Sequence, residues 1–461
     1  LLKDTNASTY KGDAKLLIGI ILAVLSFWLF AQSVLNMEPA IQKSLGMTSG
    51  AMGIGVSITA LFSGLFIVLT GGLADRLGRV KFSLAGLVIN IIGSILLIIA
   101  QSAPLFIAGR ILQGVAAAFI MPATMALVKT YYDGAERQRA VSYWSIGSWG
   151  GSGLCSFFGG AIASTLGWRY VFIFSIIVSV ISFILIMGTP ESKVVVEKVK
   201  FDFFGLILFI ISMLALNLGI SSAQQYGLQS SRTLTLFAVV IVGLVLFYFT
   251  KKNKSNSFMD FNLFKNRFYL GATISNFLLN AVAGTLIVIN TYMQIGRGLS
   301  SAVAGEMSLG YLVCILITIR IGEKLLQKMG ARKPMVLGAS ATLIGIILMT
   351  FVNVQGPLYL VLVFIGYSIF GIGLGIYATP STDTAISNVS DEKVGSASGI
   401  YKMASSLGGA IGVAISLAVF SSVGADKVST AAFLGLGVNI IFGILAIISI
   451  MFIIPKNSKM K

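Results

Sequence analysis

Fourteen apolar runs, each near the length that crosses a bilayer, succeed one another along the chain with only short breaks. Hydrocarbon about 30 Å thick takes roughly 20 residues of α-helix to span. The runs lie at 15–37, 50–70, 81–101, 104–128, 139–162, 168–188, 203–221, 232–250, 271–293, 304–321, 334–352, 357–380, 397–421 and 430–454. Lipid offers no partner to an open backbone, so such runs dictate helices that close their own hydrogen bonds. Only 11% of the residues are charged, against about a quarter in a soluble chain; that is too few to clothe a surface facing water. The expected fold class is all-α and integral to the membrane, with no inserted soluble domain. Leu1 to Asp13 is polar and has no apolar core with a cleavage site, so the first helix, rather than a removable signal peptide, is expected to target the chain.

Lysine and arginine set the orientation of such a bundle, because they collect in cytoplasmic loops. The two termini and one set of alternate loops carry 27 of the 33 basic residues, with Lys393 and Lys402 assigned to the loop after the twelfth run. The opposite loops hold only Lys43, Arg169, Arg232, Arg297 and Lys427. Both termini are therefore expected in the cytoplasm. Spread over eight stretches, these charges account for the net +17 without a nucleic-acid partner. There is no histidine, which removes a common metal ligand and general base, and no metal is expected. Cys155 and Cys314 lie in separate apolar runs, so no disulfide framework is expected. No nucleotide-binding P-loop is present either, which argues against ATP as the energy source.

Weak internal symmetry is common in transporters, and it is visible here. The segment after the second run, Gly72 to Lys81, aligns with Glu323 to Lys333 after the tenth when Gly78 is set on Gly330. Pro122-Ala123-Thr124-Met125 likewise pairs with Pro380-Ser381-Thr382-Asp383, and Gly150-Gly151 with Gly408-Gly409. The offset is eight helices. It implies six-helix halves, 1–190 and 266–461, separated by an extra pair of helices in 191–265.

These segments carry a resemblance to the major facilitator superfamily, in its fourteen-helix drug:proton antiporter branch. Gly71 to Lys81 resembles that superfamily's loop motif between its second and third helices. Leu105 to Ala118, with Arg110, Gln113 and Gly114, is similar to the fourth-helix motif of proton-coupled members. Gly147 to Gly160 resembles the glycine-rich antiporter helix through Gly147, Gly150, Gly151, Gly159 and Gly160, although the usual Gly-Pro pair is missing. Ser142 to Trp149 and Tyr377 to Asn388 resemble the Nor-type quinolone-resistance exporters of Gram-positive bacteria. The resemblance implies the major facilitator fold, two six-helix bundles plus two further helices, in a bacterial cell membrane. It further implies alternating access by a monomer, with protons and small-molecule drugs as partners and no cofactor.

An ionisable group inside the bilayer costs from about 2.5 to over 10 kcal/mol, which narrows the candidates. Arg110 sits six residues into the fourth run and is expected to face the bundle, where the resemblance ties it to proton coupling; it could equally staple helices near an interface. Asp383 closes the twelfth run after Pro380, and a carboxylate in a dehydrated cavity can exchange protons. A helix-capping aspartate in a loop is the alternative. Glu38 and Glu306, at opposite ends of short polar breaks, are further proton-coupling candidates or ordinary interfacial acids.

By resemblance, Asp75 with Arg76, Gly78 and Arg79, together with Arg137 and Arg139, forms a charge-paired latch that biases one of two alternating states. Small residues of the fifth helix are expected to pack closely against a neighbour. Trp28, Gln32, Asn36, Trp144, Trp149, Asn276, Asn280 and Tyr377 could line a substrate cavity, because aromatic faces and amides suit varied flat cations. An exporter exchanging protons for amphipathic drugs is the leading expectation. A proton-coupled transporter of one metabolite would want more fixed charge, and a membrane enzyme would want convergent acids or histidine that this sequence lacks. A channel would want a ring of charges.

Overall fold

The structure is a computed structural model and describes residues 10–193, 202–227, 229–251, 260–423 and 427–456. Fourteen helical stretches follow the fourteen apolar runs. The first, α1, is Ala14–Leu25 continued by a π turn, Ser26–Ala31, and then by Val34–Leu45. Next come α2 (Ser49–Leu77), α3 (Arg79–Ile98) and α4 (Ala103–Tyr131). α5 repeats the pattern of α1, with Gly134–Ser145, a π turn at Ile146–Gly150, and Gly151–Thr165. Then follow α6 (Arg169–Ile186), α7 (Phe203–Tyr226) and α8 (Ser231–Lys251). α9 is Arg267–Ala281 with Gly284–Ile295, and α10 is Ser301–Met307 with Leu309–Met329. The last four are α11 (Arg332–Met349), α12 (Pro357–Ser387), α13 (Val394–Ser421) and α14 (Val428–Ile453). Eleven helices among the described residues are long and apolar enough to cross a membrane.

Two boundaries differ from the sequence expectation. α12 runs through Pro380 to Ser387, so Asp383 lies a full turn inside the helix and not at its end. α13 begins at Val394, which places Lys402 on its third turn, buried, and not in a loop. The basic residues of that loop thus reduce to Lys393.

The chain clusters into two compact units. One comprises residues 1–210, 250–261 and 389–403; the other comprises 211–249, 262–388 and 404–461. Within the first, α2 and α3 both pack along α4, and α6 packs on α1 and α3. Within the second, α10 and α11 both pack along α12, and α14 packs on α9 and α11. The same pairings therefore recur eight helices later, the offset that the sequence repeat carries.

Glycine makes the close pairings possible. A Cβ on Gly93 would fall 3.0 Å from the carbonyl oxygen of Gly109, and one on Gly345 would fall 2.6 Å from that of Gly366. α2 passes to α3 at a single residue, Gly78 at φ 130°, and α10 ends at Gly330 at φ 74°. Both values lie where a side chain is strained, and these are the two glycines that the repeat superimposes.

Large apolar side chains stay exposed along the outer helices, among them Ile92 and Ile95 on α3, Ile241, Val242 and Phe249 on α8, and Phe452 on α14. Such a belt would drive aggregation in water, whereas hydrocarbon is its natural solvent. α4 is the opposite extreme, with 78% of its apolar window buried against 22% for α8. A polar group on α4 therefore needs a partner inside the protein.

Candidate functional site

Arg110 is that polar group. It is 1% exposed, and its guanidinium is bound by two backbone carbonyls and one side-chain amide. Nε donates to the carbonyl of Gly55 at 2.9 Å, and Nη1 donates to the carbonyl of Ala31 and to Gln113 Oε1, both at 2.7 Å. Thr59 answers from α2 by donating to the carbonyl of Arg110 itself at 2.9 Å. The planar fork of arginine suits three acceptors held at fixed angles. Arg110 thus points into the bundle, as expected, and ties α4 to α2 and to the irregular stretch of α1. Beside it, Gln113 Nε2 is buried with no acceptor among the described residues.

Asp75, at the end of α2, is 3% exposed and fully engaged. Arg79 donates to Asp75 Oδ1 from Nε at 3.0 Å and from Nη2 at 2.8 Å. The backbone N–H groups of Gly395 and Ser396 donate to Oδ1 and Oδ2 at 2.9 and 3.0 Å. A carboxylate at the start of α13 satisfies N–H groups that the helix leaves open and meets the positive end of its dipole.

Arg79 in turn donates to Thr130 Oγ1, to Ser192 Oγ and to the carbonyl of Asp391. Lys129 donates to the carbonyl of Val389 and lies 3.4 Å from the Asp391 carboxylate. Of the expected latch, Asp75, Gly78 and Arg79 come together. The partners of Asp75 are Arg79 and the start of α13, not Arg137 or Arg139. Arg139 is exposed and lines a cavity of about 410 Å³ with Asp13, Glu136 and Tyr143. Arg76 is half-buried.

Sequence reasoning missed Lys129, Thr130, Ser192 and Asp391, which are ordinary residues until the fold gathers them. It also missed Glu191, whose carboxylate accepts from the N–H groups of Val80 and Lys81 at 2.9 and 3.0 Å and so caps α3.

The small residues of α5 meet α1. A Cβ on Gly147 would lie 3.3 Å from Val24, one on Gly151 2.9 Å from Trp28, and one on Gly159 2.7 Å from Ser33. In the second unit α13 approaches α9 the same way, with Gly408 against Phe277 and Gly412 against Ala281. Gly150 is buried, while the surroundings of Gly160 and Asn36 lie outside the described residues.

The candidate cavity residues divide between the units. In the first, Trp144 is fully buried and its indole N–H donates to Thr124 Oγ1 at 3.1 Å, whereas Trp28, Gln32 and Trp149 are half-buried. In the second, Asn276 donates to Ser405 Oγ at 2.6 Å, and Asn280 donates to the carbonyl and Oδ1 of Asn276 at 2.7 and 3.0 Å. The hydroxyl of Tyr377 meets Ser275 at 2.7 Å and accepts from Ser381 at 2.9 Å.

Asp383 is 2% exposed and accepts from Ser387 Oγ at 2.9 Å, so the loop alternative for this carboxylate does not hold. Glu306 is exposed and Glu38 half-buried. A further buried acid, Glu323 on α10, is held by Arg320 and Gln327 and was not anticipated.

A sequence profile described as Major Facilitator Superfamily matches residues 16–413 and 272–459. The chain is 52% identical, over 459 residues and 99% of both sequences, to the quinolone resistance protein NorB of Staphylococcus aureus strain MRSA252. It is 51% identical over the same length to the protein of that name from strain MSSA476. Among solved structures it is similar to the proton:xylose symporter XylE bound to 6-bromo-6-deoxy-D-glucose, with TM-score 0.66, 16% identity, and 95% of this chain and 94% of that one covered. It is also similar to the human organic anion transporter MFSD10, with TM-score 0.63, 14% identity, and 95% and 98% covered. At these identities the two structures speak to the fold alone.

Proposed function

This chain belongs to the major facilitator superfamily, and we propose that it is a proton-driven multidrug exporter of a bacterial cell membrane. It is a multi-pass membrane protein and a transporter. Its substrates are amphipathic cationic or zwitterionic compounds such as quinolones, dyes and quaternary ammonium salts. The observation that carries this reading is the 52% identity, end to end, to a quinolone resistance protein. The charge asymmetry between alternate loops supports a cytoplasmic position for both termini. No cofactor enters; the proton gradient supplies the work, and the monomer is the functional unit.

In this scheme Asp383 carries the exchanged proton, with Glu38 and Glu306 serving its path on the other side. A buried acid can take a proton at neutral pH because desolvation disfavours its charged form. Arg110 holds α1, α2 and α4 of the first unit together through its carbonyl contacts. The Asp75 cluster holds one alternating state by clamping the start of α13, and Arg76, Arg137 and Arg139 contribute charge around it. Trp28, Gln32, Asn36, Trp144 and Trp149 in the first unit, and Asn276, Asn280 and Tyr377 in the second, are the candidates for contact with substrate.

The test is uptake of ethidium and norfloxacin into everted vesicles under an imposed pH gradient, acid inside. Accumulation that stops when nigericin collapses the gradient is expected. Equal transport without a gradient would overturn proton coupling, and no drug transport at all would overturn the exporter.

A further inference from the structure

Lys402 belongs to none of the motifs above, yet it is the buried cation hardest to account for. Its residue is 6% exposed on α13. Nζ donates to Ser148 Oγ at 3.2 Å and lies 4.3 Å from the centroid of the Trp144 ring. Among the described residues no carboxylate pairs with it. An ammonium has three N–H groups to place, and burying one without a counter-charge is expensive. A hydroxyl and an aromatic face compensate only in part.

The neighbourhood repeats this deficit. Ser398, one turn earlier on α13, and Ser145, one turn before Ser148 on α5, are buried, and neither hydroxyl has a hydrogen-bond partner among the described residues. Spacings of three and four place each on the helix face of its neighbour. The Trp144 ring beneath the amine is itself fixed by its bond to Thr124.

A buried cation flanked by buried hydroxyl donors presents the set of N–H and O–H groups that bind a carboxylate. We propose that Lys402, with Ser148, Ser145 and Ser398 beside it, receives the carboxylate of an amphipathic acid or zwitterion during export. The inference rests on the exporter reading and narrows it: one class of substrate is held by its negative end, while cations lacking a carboxylate bypass this seat.

Binding of three probes to the purified full-length protein in lipid nanodiscs tests this apart from transport. The probes are norfloxacin, norfloxacin methyl ester, whose carboxylate is masked, and ethidium. Wild type should bind norfloxacin about tenfold more tightly than its ester, the scale of one charge-assisted hydrogen bond. Lys402→Gln should erase that preference and leave ethidium affinity within about twofold. Lys402→Arg, which keeps the charge, should retain most of the preference.

Equal affinities for acid and ester in wild type, or a preference that survives Lys402→Gln, would overturn the seat. So would an equal loss of all three ligands in both variants, which would make Lys402 a folding residue. If everted vesicles accumulate no drug but the preference and its loss are seen, the exporter reading falls and the seat stands.

Discussion

The carboxylate of Asp75 takes the backbone N–H of Gly395 at 2.9 Å, and it is the bare Cα of Gly395 that lets the carboxylate in. A Cβ at Gly395 would lie 2.8 Å from Asp75 Oδ1. The approach repeats one turn later, where a Cβ on Gly399 would lie 2.6 Å from the carbonyl oxygen of Ile67. Charge and the absence of a side chain thus act together at one place.

Gly395→Ala should therefore disturb the Asp75 cluster without removing any charge. Hydrogen bonds to an ionised group are worth about 1.5–3 kcal/mol each, and the added methyl strains the two that reach α13. A lower melting temperature of the purified protein and slower efflux are expected, matching those of Asp75→Ala. Unchanged melting and efflux in Gly395→Ala would show that the contact stabilises nothing.

Arg110→Lys tests geometry against charge. Lysine keeps the positive charge but cannot reach the carbonyls of Gly55 and Ala31 and the amide of Gln113 with one flat fork. Efflux driven by a pH gradient should fall at least about tenfold, a rise of about 1.4 kcal/mol in the rate-limiting barrier, while membrane insertion persists. Near-normal efflux in the lysine variant would mean that charge alone matters there.

Asp383→Asn removes the proposed proton carrier while preserving size and the bond from Ser387. Gradient-driven efflux should be lost, but binding of ethidium to the detergent-solubilised protein should persist. Ethidium binding should also release protons from wild type and not from the variant, measured with a dilute pH dye. Proton release of equal size in both would move the coupling role to another acid.

Gly412→Ala probes the second unit alone. Its Cβ would fall 2.5 Å from the Cα of Ala281, so α9 and α13 must part. Overpacking of this kind costs about 1–3 kcal/mol, to be read as a lower melting temperature. Gly437→Ala, with open space around its Cβ position, is the control and should leave melting unchanged.

The spans were legible in the sequence because membrane insertion depends on local apolar length, and all fourteen runs meet helices. The repeat was legible too, down to the paired positive-φ glycines Gly78 and Gly330. Where hydropathy falls while the helix continues, the sequence misled. Beyond Pro380 the residues turn polar, so the run ends early, but Thr384 bonds back to the carbonyl of Pro380 at 2.6 Å and the helix proceeds to Ser387. Lys402 lies inside the run 397–421, yet a lysine near a helix start reads as a loop charge in a count of basic residues. The α13 partners of Asp75 could not be read at all, because backbone N–H groups of Gly395 and Ser396 carry no sequence signature at separations of 320 and 321 residues. Nor do the π turns of α1 and α5, whose composition is that of any apolar helix.

The first of those turns bears on how α1 can move. Its bonding step lengthens to five residues at Gln32, which donates to Phe27, and shortens to three at Ser33, which donates to Phe30. The regular ladder is already interrupted at the point where Arg110 grips the carbonyl of Ala31. A swing of the Val34–Leu45 arm about this point spends no α-helical bond of the Ala14–Leu25 arm, and the guanidinium serves as the pin of the hinge.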